Sequence, residues 1–520
     1  IARGGWRTII SRTQDELTTN RNNIFREVFV LAHTQHLKNK DIYEGGSKLA
    51  VILDARGLES SEAVVQQLYK LQYAMLNAFL DIFVTENGKA RDPRVVDYYG
   101  DDEPIELGPD ENMHDTMIEV IARQAVKRGY ALGGGIMSSK RVGINHKQYG
   151  VTSRGVIRSA MIAMNQVGID MTKDEFTMKI TGGPFGDVAG NSIALLLERC
   201  PGAKIVCITD ATGALYDPEG ADRQEMARIV LKADIHEFNP EALHKGGFML
   251  FSRHTRMEAL KQLYRKVERT DAGLKESWIT VDEYYKEIDA VLFNVPVNLF
   301  LPCGGRPETI DANNWSKWVK EDGKLTAPVI VEGANSFISP AARECLQKNG
   351  VIIVRDSSAN KCGVITSSYE IIANLLMSEK EFLKHKDVYV RDVLEILDKR
   401  ARDEANLIFR RYKEAEGKLL YTEISAGLSE EINEHYDRLF GFFCRRTDLL
   451  EKPVIFNVLL RHMPAFVREN VRYRARVKKL PVKIQCAILA SEIASTIVYN
   501  GGWEDDFEGS LTTYLEAHFK

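Results

Sequence analysis

Three regimes of apolar and polar positions follow one another along the chain. Over residues 1–150, a short apolar run at residues 49–53 precedes a stretch at residues 63–83 whose apolar side chains recur at helical spacing, and loops rich in Gly, Asp and Pro separate them. This mixture predicts an α/β domain. From Phe176 the pattern becomes a repeated sequence of apolar strand, Gly-rich turn and helix, with strands predicted at Phe176–Thr181, 204–209, 290–293, Val329–Val331 and 351–354. Strands alternating with helical segments predict a parallel, doubly wound sheet. Beyond Ser367 the pattern is almost continuously helical, with apolar stripes and charged faces at residues 388–397, 403–414 and 429–446. Pro453, Pro464 and Pro481 divide the last part into shorter helices, and there is no internal repeat or low-complexity segment.

Length and charge narrow the function classes. At 520 residues the chain exceeds one core, since domains run to about 100–200 residues. A net charge of -4, with both signs spread along the chain, gives no reason to expect a nucleic-acid or anionic-membrane partner, so small anionic substrates would need local basic pockets. The seven cysteines are odd in number, scattered and without a Cys-x-x-Cys pair, which argues against a disulfide framework or zinc knuckle and fits a reducing compartment. No metal is expected. No run approaches the roughly 18 consecutive apolar residues of a membrane span, and no signal peptide opens the chain. The start, Ile1-Ala2-Arg3-Gly4-Gly5, has no methionine and reads as mid-element, so an upstream portion is expected.

Candidate nucleotide chemistry begins where the strand Phe176–Thr181 runs into Gly182-Gly183-Pro184-Phe185-Gly186-Asp187-Val188, followed by an apolar helix. Glycines there let backbone approach a pyrophosphate, which then sits at a helix N-terminus where N–H groups and the dipole favour anions. The spacing is not a clean G-x-G-x-x-G, and the loop alone is equally well a tight strand-to-helix turn. The second strand ends in Asp210, about 20 residues past the glycines, where a dinucleotide fold places an acid on the adenosine ribose. A carboxylate there accepts from a free 2′-hydroxyl and repels a 2′-phosphate, favouring NAD over NADP; the alternative is that Asp210 only caps the following turn.

At Thr181–Gly190, Asp217-Pro218-Glu219-Gly220 and Glu332-Gly333-Ala334-Asn335 the sequence resembles the glutamate dehydrogenases, most closely the large NAD-specific subunits of fungi, protists and bacteria. The resemblance extends over most of the chain, through Arg3-Gly4-Gly5, Lys38-Asn39-Lys40-Asp41, Glu44-Gly45-Gly46-Ser47-Lys48, Gly108-Pro109-Asp110-Glu111-Asn112, Pro302-Cys303-Gly304-Gly305-Arg306-Pro307 and Asn360-Lys361-Cys362-Gly363. It implies an α/β architecture in three parts. A substrate domain over residues 1–155 carries the catalytic Lys and Asp, a Rossmann-type NAD-binding domain covers 156–365, and a helical segment over 366–520 returns to the substrate domain and continues as a C-terminal extension. Catalysis is then expected in the cleft between the domains.

The implied reaction is the reversible, NAD-dependent oxidative deamination of L-glutamate to 2-oxoglutarate and ammonium, by hydride transfer and Lys-assisted hydrolysis of an imine. Lys48 resembles the family's catalytic lysine, which activates water as a neutral amine; read without the family, it is a solvated surface lysine. Asp110 resembles the aspartate that passes protons between substrate, water and Lys48, and by itself could equally be an N-cap. Lys38 matches the residue that holds the α-carboxylate, and Arg3 and Ser367 match those that hold the distal one. Small-subunit enzymes have lysine at the position of Arg3; arginine can pair bidentately with a γ-carboxylate. Thr152 resembles the threonine at the nicotinamide carboxamide, and Asn335 the asparagine near the ribose.

Two positions depart from the family pattern. Cys362-Gly363 replaces its Gly-Gly, and Ile365 replaces a usual threonine, so the loop before Ser367 is expected to accommodate a bulkier side chain. Alternatives are a branched-chain amino-acid dehydrogenase, disfavoured by Arg3 and Ser367, and a catalytically weak NAD-binding subunit, disfavoured by Lys48 with Asp110. The resemblance also implies a homo-oligomer, a tetramer rather than a hexamer, in the mitochondrial matrix or the cytoplasm, with the matrix slightly favoured.

Overall fold

A computed structural model describes residues 2–38, 45–98, 100, 102–138, 143–259 and 261–500, with residues 511, 515 and 517. Asn39, Lys40, Asp41 and Glu44 of the quoted motifs lie outside the described residues. The chain divides into two units, one formed by Ile1–Asn145, Val364–Ile396 and Gly427–Lys520, the other by His146–Gly363 and Leu397–Ala426.

The first unit is built on a parallel sheet around β1 (Ala2–Ser11), which pairs with β2 (Gly45–Gly46) and β3 (Leu49–Asp54). A small hairpin, β4 (Thr85–Glu86) with β5 (Lys89–Ala90), precedes β6 (Ile105–Pro109), which pairs with β1 over Ala2 to Trp6. Helix α1 (Gln14–Leu37) opens with a capping box between Thr13 and Glu16, and α2 (Ser61–Phe83) with the Ser60 hydroxyl on the Ala63 amide. The spacing of Val64, Leu68, Leu76 and Leu80 puts all four on the buried face of α2. Helix α3 (Asp115–Arg128) ends at Gly129, whose φ of 76° is the left-handed cap that glycine adopts without strain. Trp6, Leu76, Leu80, Leu107, Met117 and Ile121 join sheet and helices in one core.

In the second unit, α4 (His146–Tyr149) and α5 (Val151–Gln166) precede β7 (Phe176–Thr181), α6 (Asp187–Arg199), β8 (Ala203–Asp210), β9 (Gly213–Tyr216) and α7 (Arg223–Ile229). Next come β10 (Phe248–Glu258), β11 (Lys261–Thr270), β12 (Gly273–Thr280), α8 (Val281–Phe293) and β13 (Leu299–Pro302). The last elements are β14 (Val329–Val331), α9 (Pro340–Lys348), β15 (Ile352–Val354) and α10 (Asp356–Ala359). They make a nine-stranded sheet in the order β12-β11-β10-β9-β8-β7-β13-β14-β15. Its β8-β7-β13-β14-β15 part is parallel.

Successive residues of these strands serve opposite cores, since Leu299, Leu301, Val329 and Val331 pack with α5 and α6 while Phe300 and Ile330 pack with α8 and α9. Burial on both faces, at about 1.5–3 kcal/mol for each large aliphatic side chain, is why the strands read as unbroken apolar runs.

Three expectations are corrected. Residues 290–293 are the end of α8, not a strand; Thr280 and Glu283 cap that helix, and β13 follows it. A four-residue apolar run fits either period, so only the upstream cap distinguishes them. Antiparallel β9 to β12 had no counterpart in the predicted pattern, because the outer strands carry charged side chains where an apolar alternation was sought. Finally, the helical tail does not belong to one unit. It comprises α11 (Cys362–Leu376), α12 (Glu379–Glu414), α13 (Tyr421–Arg445), α14 (Pro453–His462), α15 (Ala465–Glu469), α16 (Val471–Val477) and α17 (Val482–Asn500), and residues 397–426 pack with the second unit. Phe409 lies in that unit's core with Tyr421 against it, a contact that helical periodicity cannot assign.

Among the described helices, α17 alone is long and apolar enough to cross a membrane, and 72% of its apolar window is buried inside the protein. Its Glu492 carboxylate meets buried His462 at 3.0 Å, as in a core helix.

Candidate functional site

The order in which the chain adds its parallel strands reverses between β7 and β13, and two glycines meet there. Gly182, at φ 109°, ends β7 with its amide on the Thr209 carbonyl at 2.8 Å. A Cβ on Gly182 would stand 2.8 Å from the Gly304 nitrogen, and one on Gly304 would stand 2.5 Å from the Gly182 Cα. Backbone thus lies bare on backbone at the carboxyl edge, in the crevice where open α/β sheets take their ligands. Gly183 (φ 69°) continues the turn and Gly186 is the N-cap of α6; no side chain caps that helix start, which leaves its leading amides facing the crevice side of the turn. Asp187 is exposed in the first turn of α6, and the Val188 carbonyl accepts from the Ser153 hydroxyl at 2.8 Å.

Asp210 stands at the end of β8 directly over this turn; a Cβ on Gly183 would run into its carboxylate. One oxygen accepts from the Thr212 amide at 2.7 Å and hydroxyl at 2.6 Å, and the other accepts from the Ile235 amide at 2.9 Å. Capping the turn and facing a ribose are therefore compatible, because the three donors orient the carboxylate beside the glycine loop.

Asn335 follows β14, exposed, with its side-chain oxygen accepting from Asn360 at 2.8 Å. Its loop rests on a buried network: Arg343 binds Glu332 at 2.9 and 3.0 Å and Asp356 at 3.3 Å, and Asp356 accepts from the Ser336 amide at 2.7 Å. Burial pushes the Glu332 carboxyl up to about 7. Thr152 lies in the first turn of α5, where a Cβ on Gly363 would come within 2.8 Å of its hydroxyl. Cys362 is buried against Gly155, its thiol directed at the Leu397 carbonyl at 3.7 Å, so the sulfur is taken up by packing.

In the first unit, Lys48 and Asp110 form an ion pair above Gly5. The Lys48 side chain is 8% exposed and that of Asp110 35%, so the amine is nearly enclosed while the carboxylate reaches solvent. The arrangement depends on missing side chains: a Cβ on Gly5 would overlap the Asp110 carboxylate and lie 2.8 Å from the Lys48 Nζ. Backbone bonds hold both neighbours to β1, from the Ser47 amide to the Arg3 carbonyl at 2.7 Å and from the Asp110 amide to the Trp6 carbonyl at 3.1 Å.

Arg3 is buried, with its Nε 3.1 Å from Glu106 and its Nη2 donating to the Ser368 hydroxyl at 2.8 Å; its other terminal nitrogen donates to the Val364 carbonyl. Ser367 is buried one residue away on α11, and Lys38 is buried at the C-cap of α1.

Sequence reasoning missed Glu106 and Ser368, and quoted Gly304, Glu332 and Asn360 without roles. An acid between Ile105 and Leu107 on a short apolar strand is the signal that Glu106 offered.

Comparison with known proteins bears on the whole arrangement. Residues 143–408 match the family model for glutamate/leucine/phenylalanine/valine dehydrogenases. The chain is 30% identical over 519 residues to an NAD-specific glutamate dehydrogenase of Neurospora crassa, covering 96% of this chain and 46% of that protein. It is 29% identical over 537 residues to glutamate dehydrogenase 2 of Dictyostelium discoideum, covering 99% of this chain and 47% of that protein. The chain thus spans about half the length of these curated relatives. Among solved structures, a glutamate dehydrogenase of Plasmodium falciparum aligns with TM-score 0.52 and 17% identity, over 82% of this chain and 73% of that one. The hetero-hexameric glutamate dehydrogenase of Thermus thermophilus aligns with TM-score 0.51 and 16% identity, over 82% and 79%. Both share its fold.

Proposed function

Since the chain belongs to the glutamate/leucine/phenylalanine/valine dehydrogenase family, we propose that it is the catalytic region of an NAD-dependent glutamate dehydrogenase, converting L-glutamate, water and NAD+ to 2-oxoglutarate, ammonium, NADH and a proton. The observation that carries this reading is the Lys48–Asp110 pair held over the bare backbone of Gly5. An amine and a carboxylate in contact, one enclosed and one reaching solvent, can pass a proton between an attacking water and the medium.

NAD fits the second unit's crevice: Gly182 packed on Gly304 leaves bare backbone at the carboxyl edge for a pyrophosphate to approach, and Asp210 would accept from the adenosine ribose. When bound, the coenzyme supplies the two-electron acceptor. Thr152 and Asn335 would position its nicotinamide end, and Gly183, Gly186, Asp187 and Val188 its phosphates. Lys48 would first pass its own proton to Asp110, which releases it to solvent, and the neutral amine would then take a proton from the water that adds to the substrate imine. Lys38 would hold the α-carboxylate, and Arg3 with Ser367 the distal one; Arg3 would do so as part of its bonded group with Glu106 and Ser368. These polar partners favour glutamate over an apolar side chain.

The test is steady-state formation of reduced coenzyme with glutamate, leucine, phenylalanine and valine, each with NAD and NADP. Turnover of glutamate with NAD above all other pairs is expected; preference for leucine or valine would replace this reading by the branched-chain one, and no turnover with any pair by a coenzyme-binding subunit. The assembly proposed is a homo-oligomer, tetrameric rather than the hexamer named for the Thermus relative, and light scattering on the purified chain distinguishes them. The compartment proposed is the mitochondrial matrix, or else the cytoplasm.

A further inference from the structure

Strand β10 outruns its neighbour β9. Residues 248–251 lie between β9 and β11, whereas residues 255–258 pair with β11 alone, after a register shift between Phe251 and Thr255. The pairing of β11 with β12 starts only at Leu263, so Lys261 and Gln262 pair with β10 and not with β12. Residues 255–258 with 261–264 are thus a two-stranded arm, set off from the rest of the sheet by a bulge.

From Arg253 to Glu258 every residue of β10 is exposed, on both faces, and among the described residues no strand pairs with the outer edge of residues 255–258. A two-stranded ribbon by itself is marginal in water, and an open row of N–H and C=O groups is a template for another strand. Natural edges are commonly blunted with lysine or proline, and residues 255–258 carry neither. Met257 stands 65% exposed in the middle of this edge.

The two charges of the edge complement each other by symmetry. Arg256 and Glu258 share one face of the strand, 3.3 Å apart, with the Arg256 guanidinium 4.7 Å over the Trp278 ring, and Met257 belongs to the other face. Two antiparallel strands related by a two-fold axis pair residues of the same face, so the paired positions differ by an even number. An axis through Met257 sets Arg256 of each copy against the partner's Glu258. On β12, which ends the sheet, Lys275 and Glu276 are consecutive and belong to opposite faces, so no two-fold pairing of that strand brings them together.

We propose that the open edge of β10 is a contact between two copies of this chain, paired antiparallel about Met257 so that the sheet continues from one subunit into the next. The inference rests on the homo-oligomer proposed above and names a surface that builds it. On one face Arg256 meets the partner's Glu258, which joins two intrachain pairs into a ring of four charges. On the other face Met257 covers the partner's Met257, and both leave water.

The test is the mass of the full chain in solution, measured by light scattering at one chain concentration. Met257→Lys sets like charges against each other at the axis and is expected to halve the mass of the assembly. Arg256→Glu is expected to do the same, because the new carboxylate would face the partner's Glu258. Arg256→Glu combined with Glu258→Arg should restore the full mass, since the reversed charges again complement each other, and a misfolded arm would show no such recovery. An assembly that keeps its mass in Met257→Lys overturns the contact and leaves the homo-oligomer standing. Full mass in Arg256→Glu alone, or a loss that the double variant does not repair, overturns the register about Met257; a monomeric unmodified chain overturns both the contact and the homo-oligomer.

Discussion

Arg3 and Glu106 face each other across neighbouring strands at 3.1 Å, both side chains almost wholly buried, so the residue assigned to the distal carboxylate of the substrate already has an acidic partner. Removing one member leaves the other charged and desolvated. Arg3→Met is expected to lower unfolding stability by about 3–5 kcal/mol, and the double variant with Glu106→Leu to recover most of it. Urea titration measures both. If Arg3 also serves the substrate, kcat/KM for glutamate relative to norvaline falls in the single variant, and an unchanged ratio places Arg3 outside the pocket.

Lys48→Ala is expected to reduce kcat by about 100-fold or more with coenzyme affinity unaltered, since the lysine acts on water and imine. Gly5→Ala should do similar damage without removing any functional group, because its Cβ would overlap the Asp110 carboxylate. Retention of more than roughly a tenth of kcat in the lysine variant would withdraw its catalytic role.

Asp210 bears on coenzyme choice. Asp210→Ser should narrow the preference for NAD over NADP by about 1–3 kcal/mol, measured as the ratio of kcat/KM values. Equal use of the two coenzymes by the unmodified chain would refute the ribose assignment.

Gly304→Ala should abolish coenzyme binding, measured by calorimetry, while leaving substrate-unit residues untouched, because the added methyl would stand 2.5 Å from the Gly182 Cα where neither backbone can yield. Normal affinity in a folded variant would place the coenzyme elsewhere.

Lys179 supplies a pH dependence. It is buried on β7, with its amine at the Leu292 and Val295 carbonyls and 4.4 Å over the Trp318 ring, and burial brings it down from 10.5 to about 7. The unfolded chain holds that proton up to the ordinary value, so between about pH 7 and 10 the unfolded state binds more protons and this group adds stability as pH rises, by at most about 1.4 kcal/mol per pH unit. Lys179→Met should remove that rise from the Tm-against-pH curve; an identical curve would show that the lysine is not desolvated.

What could be read from the chain alone followed local rules. Phe176–Thr181, Val329–Val331 and the glycines of residues 182–186 were legible because burial on both faces makes a strand wholly apolar and because only glycine suits the bare turn after it. Lys48 and Asp110 were found by resemblance, 62 positions apart. Their contact, and the dependence of that contact on Gly5, came only from the pairing of β1 with its neighbours.

The same holds for Glu106 beside Arg3 and for the assignment of residues 397–426 to the second unit. Periodicity along a strand or helix says which face is apolar and names no partner. Register decides which residues meet, because a parallel sheet is assembled from strands far apart in sequence and each side chain's neighbours are set by pairings that no local pattern encodes.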